Sequence, residues 1–232
     1  FPNLEALYLH NKQFCDISAL ASLTQLKTLD LGWGSRCIRD IEPLNGLRNL
    51  DWLDLRGNNV SDLAPLANHP RLRELQIGHN AIDSFSSLGL LNALTYLQAD
   101  GNSLSSPSLE GFPQLRNLGL NSTGISDLAP LVSTLIGPLE YLGLNDNAIA
   151  DFSPLNGLQN LRGIDAQNNN VITSEIGLFE EELCKYRPIV RDTCLNFNKF
   201  NLVSGASREK EDCSWQVYWA DGLNPDRYMN IG

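Results

Sequence analysis

The chain has 232 residues, 42% of them hydrophobic and 19% charged, with five cysteines and a net charge of −10 at pH 7. That acid excess argues against a nucleic-acid ligand, which needs concentrated Lys and Arg, and no apolar run of about 18 residues marks a membrane span. The first residue is Phe1 rather than Met, which predicts a processed chain whose first repeat has lost an upstream cap.

Leu4, Leu26, Leu50, Leu72, Leu94, Leu115, Leu139 and Leu161 each open a phrase of the form L-x-x-L-x-L-x-x-N-x-I, at steps of 22, 24, 22, 22, 21, 24 and 22 residues. A fixed period in this range predicts eight stacked coils, none able to close a core alone. In Leu50–Val60, residues 52 to 56 alternate. Leu53 and Leu55 point inward and Trp52, Asp54 and Arg56 outward, the period of a half-buried strand. Successive strands should pair in parallel at about 4.8 Å. Asn58, Asn80, Asn102, Asn147 and Asn169 fall at one position of the phrase, where an amide can both donate and accept in a buried ladder. Lys12, Gly34 and Thr123 interrupt it, so the first, second and sixth coils should be less regular.

The return arms begin with Asp16, Asp40, Asp62, Asp127 and Asp151, each placed to cap a short helix, and four of the five carry proline in the first turn. With four to six residues left before the next leucine, that helix should be short and of 3₁₀ type. These aspartates are caps, not catalytic carboxylates.

The phrase N-x-I-x-D-hydrophobic-x-P-L, seen in Asn58–Leu66 and again in Asn147–Leu155, resembles the internalin-like 22-residue subclass of leucine-rich repeats, shared with the leucine-rich regulatory subunit of protein phosphatase 1. The resemblance covers residues 4 to about 173. It implies a curved α/β solenoid with a parallel concave sheet and short convex 3₁₀ or α segments, acting as a protein-binding scaffold. Internalin-like proteins are bacterial surface or secreted adhesion molecules; the phosphatase subunit is intracellular.

Three outward lanes should run along the sheet. The first holds Trp52, Glu74, Tyr96 and Tyr141; the second Tyr8, Asp30, Asp54, Gln76 and Gln98; the third His10, Arg56 and Asp100. Trp33, His79 and Asp146 follow at the rim. Exposed aromatics flanked by carboxylates and amides suit a binding patch. The expected partner-binding set is therefore Tyr8, Asp30, Trp33, Trp52, Asp54, Arg56, Glu74, Gln76, Tyr96, Gln98, Asp100 and Tyr141. The occupant is a protein; a glycan is the alternative, since aromatics beside Asp and Gln also suit sugars.

No metalloprotease, phosphate-loop, calcium-loop or nucleophile-elbow motif is present, and no cofactor is expected. His10 and His79 belong to strands three apart, about 14 Å at the standard spacing, and cannot share a metal. Asp30 and Asp54 are neighbours across adjacent strands, but an open sheet offers them no pocket. A non-enzymatic chain is the expectation. Asn121-Ser122-Thr123 fits an N-glycosylation acceptor.

Cys15 and Cys37 fall near the same place in successive coils, within reach of a disulfide; buried free thiols are the alternative. Of Cys184, Cys194 and Cys213, one pair at most can form, Cys184–Cys213 or Cys194–Cys213. This usage points to an exported chain, with a cytoplasmic one as the alternative. From Ser174 the pattern changes. Residues 1–173 read as repeats and 174–232 as a capping region, with a helix from Ser174 to about Arg187, a polar loop over 204–213 and a strand over 215–219.

Overall fold

The computed structural model describes residues 1–170 apart from Pro2, Gln13, Ser35 and Ile136, and beyond them the backbone of five further strands. Each coil contributes one short strand: β1 (Ala6–Tyr8), β2 (Thr28–Asp30), β3 (Trp52–Asp54), β4 (Glu74–Gln76), β5 (Tyr96–Gln98), β6 (Asn117–Gly119), β7 (Tyr141–Gly143) and β8 (Gly163–Asp165). They pair in parallel in chain order as one open sheet, the concave layer of a leucine-rich repeat horseshoe. The alternation read from the sequence drives the pairing. Leu29, Leu31, Leu53, Leu55, Leu75, Ile77 and Leu97 are all 0% exposed, so every second residue leaves water. At the ends the burial falls off: Leu4, Leu7 and Leu9 in the first coil and Leu161 and Ile164 in the last are only half-buried.

The return arms are 3₁₀ turns at Ser18–Ser22, Glu42–Leu44, Ala64–Leu66, Ser86–Leu88 and Ser153–Gly157, and an α-helix at Ala129–Thr134. The two 24-residue coils place their extra residues differently. The sixth lengthens its arm into the α-helix, whereas the second inserts between Gly34 and Cys37, ahead of its arm. The aspartates cap as expected but one residue earlier than expected. Asp16, Asp40, Asp62, Asp127 and Asp151 each accept the N–H two residues on, at 2.8–2.9 Å, while Ile17, Ile41, Leu63, Leu128 and Phe152 occupy the cap position. The reason is that the cap residue turns its apolar side chain into the core. The Ser18 N–H holds the Asp16 carboxyl below its ordinary range.

The asparagine ladder forms. Asn102 Nδ2 donates to Ile77 O and Ala99 O at 3.0 and 2.8 Å, and its Oδ1 accepts from Ile82 N at 3.0 Å. Asn147 ties down more: its Oδ1 accepts from the N–H groups of Thr123, Gly124 and Ile125, and its Nδ2 reaches Leu120 O and Leu144 O. The sixth coil is less disturbed than expected, because the buried Thr123 hydroxyl donates to Leu120 O at 2.8 Å and keeps part of the pattern. Coils one and two are joined instead by a disulfide between Cys15 and Cys37, with Cα atoms 5.0 Å apart.

Each coil also carries one residue in the left-handed region directly after the third outward lane: Asn11, Trp33, Gly57, His79, Gly101, Ser122, Asp146 and Asn168, with φ between 54° and 67°. Their N–H groups continue the ladder into the turn, as in Trp33 N–H to Arg56 O at 2.6 Å and His79 N–H to Asp100 O at 2.6 Å.

His69, on the return side, is fully buried. Arg48 Nη1 lies 3.1 Å from its Nδ1. A guanidinium can only donate, so Nδ1 accepts and the proton sits on Nε2. Burial first, and the Arg48 charge second, push its pKa below the ordinary 6.5. A depressed histidine pKa means that the unfolded state binds more protons, so stability present above pH 6.5 drains away as pH falls below it. In a proton-NMR titration the His69 ring should show a midpoint below 6.5, and the urea midpoint should decline over the same window. A His69 midpoint at or above 6.5 would contradict this.

Beyond residue 170, β9 (Ser174–Glu180) and β10 (Lys185–Asp192) pair antiparallel with a register shift at Pro188 to Val190. The expected helix over Ser174–Arg187 is therefore replaced by a hairpin. Gly177 weakens a helix, and Pro188, Ile189 and Val190 favour extended backbone. β11 (Arg208–Glu209), β12 (Trp215–Trp219) and β13 (Arg227–Ile231) form a third sheet. It includes the expected strand over 215–219 and puts two residues of the expected 204–213 loop into a strand. The candidate bonds among Cys184, Cys194 and Cys213 lie outside the described residues.

Candidate binding surface

The strand register builds the lanes. The first runs Ala6, Thr28, Trp52, Glu74, Tyr96, Asn117, Tyr141, Gly163, and the second Tyr8, Asp30, Asp54, Gln76, Gln98, Gly119, Gly143, Asp165. Backbone bonds from the turn residues align Gly32, Arg56, Gly78, Asp100 and Asn121 in the third. The aromatics face solvent. Tyr8 is 60%, Tyr141 49% and Trp33 44% exposed, and Trp52 and Tyr96 are half-buried. Tyr141 leans over Gly163, where a Cβ would stand 2.8 Å from its ring.

The carboxylates in the lanes have a different lot. Asp54 is 2% exposed. Its oxygens accept from Arg56 Nη2 at 2.6 Å, Arg56 Nε at 3.0 Å and the Arg56 N–H at 2.8 Å, and they rest on Gly32, where a Cβ would come within 2.9 Å. This pairing raises the Arg56 pKa further. Asp30, 9% exposed, accepts from the Gly32 N–H and lies 3.0 Å from His10 Nδ1. Asp100 accepts from the Asn121 N–H and from Gln98 Nε2. Asn121 and Asn145 continue this chain of side chain-to-backbone bonds to Asn145 N–H and Gln167 N–H. Asp30 and Asp54 are thus adjacent, as expected, but each is held by its own partner and neither is a free acid or base. Burial first, and the Asp100 charge second, raise the Tyr96 pKa, which keeps its hydroxyl protonated.

The surface left for a guest is therefore an aromatic line carried by Tyr8, Trp52, Tyr96 and Tyr141, with exposed Glu74 and the half-buried Gln76, Gln98 and Arg56 between them. Along the strand entrances run cross-strand ion pairs on either side of the neutral Thr95. Lys27 pairs with Glu5 at 2.7 Å and Arg73 with Asp51 at 3.4 Å, and Glu140 is flanked by Arg116 and Arg162. Exposed pairs of this kind contribute about 0–1 kcal/mol each.

Three features escaped the sequence reading. Trp33 and His79 touch, with ring centroids 5.3 Å apart; their spacing of two coils was the available signal. His69 lies in a loop before Pro70, and that loop buries it. The Asn121–Thr123 acceptor pattern is absorbed by the fold, since Thr123 is buried and Asn121 Oδ1 already accepts from Asn145 N–H. Among the described residues no group of three His, Cys, Asp or Glu side chains is placed to hold a metal ion, and no helix is long and apolar enough to cross a membrane.

The family described as "Leucine Rich repeats (2 copies)" matches residues 48–89, which hold Asn58 and Asn80 of the ladder. Among solved structures, an internalin (inlF) from Listeria monocytogenes is 29% identical at a TM-score of 0.60, over 72% of this chain and 55% of that one. An internalin C2 (inlC2) from the same organism is 29% identical at a TM-score of 0.60, over 71% of this chain and 72% of its own. The 187-kDa microtubule-associated protein AIR9 of Arabidopsis thaliana is 32% identical over 85 residues, 37% of this chain and 5% of that protein. The chain thus spans about half of the first internalin and a small part of the plant protein. Strand register, asparagine ladder, aspartate-capped arms and these likenesses agree: the chain folds as a leucine-rich repeat solenoid similar to those of the internalins.

Proposed function

We propose that the chain is an exported, non-catalytic recognition module that holds a protein partner on its concave face. The observation that carries this reading is the aromatic line: four large rings, at Tyr8, Trp52, Tyr96 and Tyr141, stand at solvent on one face of one sheet. Rigid aromatic area is what interface hot spots use, and ordered exposed series of this kind are unusual on a surface with no guest. Trp52 and Tyr96, half-buried and separated by Glu74, form the centre; Gln76, Gln98 and Arg56 supply polar contacts beside them. Export is supported by the Cys15–Cys37 bond, since disulfides persist in oxidising compartments. Residues 174–232 act as the C-terminal cap of the solenoid.

The test is capture of a partner on immobilised wild type against Trp52→Ala/Tyr96→Ala. Losing two central anchors should weaken binding by at least about 30-fold, on the order of 2 kcal/mol. Equal recovery of the same partner would move the site elsewhere. Binding of a glycan array with no protein retained would replace the protein reading with the sugar one.

A further inference from the structure

The centre of the aromatic line differs from its ends. Strand register sets Trp52, Glu74 and Tyr96 side by side on β3, β4 and β5, so two half-buried rings flank one exposed carboxylate. The outer rings have no free carboxylate beside them in their lanes. Tyr141 stands between Asn117 and Gly163, and Tyr8 stands beside Asp30, which His10 and the Gly32 N–H hold. Trp52 and Tyr96 are two strand spacings apart, about 9.6 Å along the sheet. Two van der Waals contacts of about 3.5–4.0 Å each take up about 7–8 Å, so the gap over Glu74 admits one side chain with a ring on either side. Among the described residues neither ring is stacked on another aromatic.

The charge at this gap is uncompensated. Among the described residues the Glu74 carboxylate takes part in no ion pair, while the cations around it are engaged. Asp54 holds Arg56 at 2.6 Å, and Asp51 pairs with Arg73 at 3.4 Å. Asp100, in the coil of Tyr96, meets only the neutral donors Gln98 Nε2 and the Asn121 N–H. Both carboxylates act on the Tyr96 hydroxyl: after burial, Asp100 raises its pKa, Arg56 opposes, and Glu74 adds to the rise. The chain as a whole carries −10, a field that draws cations in from a distance.

We propose that Trp52, Glu74 and Tyr96 form a slot for a basic side chain, of arginine or lysine, presented by the guest protein. The inference rests on the concave reading above and adds the chemistry of the guest. The aliphatic stem lies between the two rings, whose faces attract the cation, and the charged head pairs with Glu74. A guanidinium suits the slot best, because it is planar, stacks on aromatic faces and matches a carboxylate with its fork of donors.

The test is a nitrogen-15 NMR titration of the intact chain with three probes: N-acetyl-glycyl-arginyl-glycinamide, its lysyl equivalent, and its citrullyl equivalent, a neutral isostere of arginine. The expected result is that the two cationic peptides shift the Trp52 indole N–H and the Tyr96 backbone amide, while the citrullyl peptide binds about tenfold more weakly or less. Glu74→Gln should weaken the cationic peptides about fivefold or more. Glu110→Gln, which removes the same charge at an exposed site outside the sheet, should leave them unchanged. Tighter binding of the arginyl peptide identifies a guanidinium, and of the lysyl peptide an ammonium; either supports the slot. Equal binding of the citrullyl peptide, a Glu74→Gln affinity equal to wild type, or no shift with any probe would overturn it. Each of those results leaves the concave reading standing if Trp52→Ala/Tyr96→Ala still loses the captured protein. Equal capture by that double variant, with the peptide shifts present, would fail the concave reading and leave the slot.

Discussion

Asn147→Ala should destabilise the chain markedly more than Asn58→Ala, although both asparagines hold the same place in the repeat and both are buried. Asn147 Oδ1 serves the N–H groups of Thr123, Gly124 and Ile125, and its Nδ2 serves Leu120 O and Leu144 O. Truncation strands the three N–H groups inside the coil, while Leu120 O keeps the Thr123 hydroxyl and Leu144 O keeps Asn169 Nδ2. An orphaned buried polar group costs about 1–3 kcal/mol, so even with partial relief by water the loss should be about 3 kcal/mol or more. Asn58→Ala removes its Nδ2 from Leu31 O, Leu55 O and Arg56 O, of which Leu55 O keeps Asn80 Nδ2, and it removes an acceptor that had no partner among the described residues. It should cost less by at least about 1 kcal/mol. Urea unfolding of the two variants measures the difference. Equal losses would mean that the ladder stabilises through its donors alone.

Gly57→Ala should be the most damaging methyl that can be added to the rim. The residue has φ +67°, where any Cβ is strained, and that Cβ would meet the Trp33 ring. The two effects can be separated. The backbone penalty alone is about 1 kcal/mol, and the clash brings the total to about 2–4 kcal/mol. In a Trp33→Ala background only the first part should remain, leaving a coupling of about 1 kcal/mol or more in the double-mutant cycle. Additive losses would show that the indole does not rest on Gly57.

Much of this architecture is legible in the sequence, because a repeat states its answer eight times. The leucine spacing placed every strand of the sheet in its register, and the asparagine and aspartate positions placed the ladder and the arms. The carboxylates were harder. Asp30, Asp54 and Asp100 occupy outward positions, and period two predicts that they face water. Glycines at 32 and 119 open room beside Asp54 and Asp100, the N–H groups of the turn supply donors, and the side chains fold back on the sheet. Such local bonds are invisible to a pattern that records only in and out. The Trp33–His79 contact was missed for a related reason, since it depends on a missing Cβ in the coil between them. The segment after residue 173 lacks a repeat, and there a short apolar run reads equally as helix or strand; the backbone resolves it as a hairpin.

The central claim is that the guest sits on the aromatic line of the concave sheet. Hydroxyl-radical footprinting of the chain with a protein that it retains tests this directly. Trp52 and Tyr96 should lose reactivity in the complex, while Leu90, 47% exposed and outside the sheet, stays as reactive as in the free chain. Protection of Leu90 with Trp52 and Tyr96 unchanged would contradict the account.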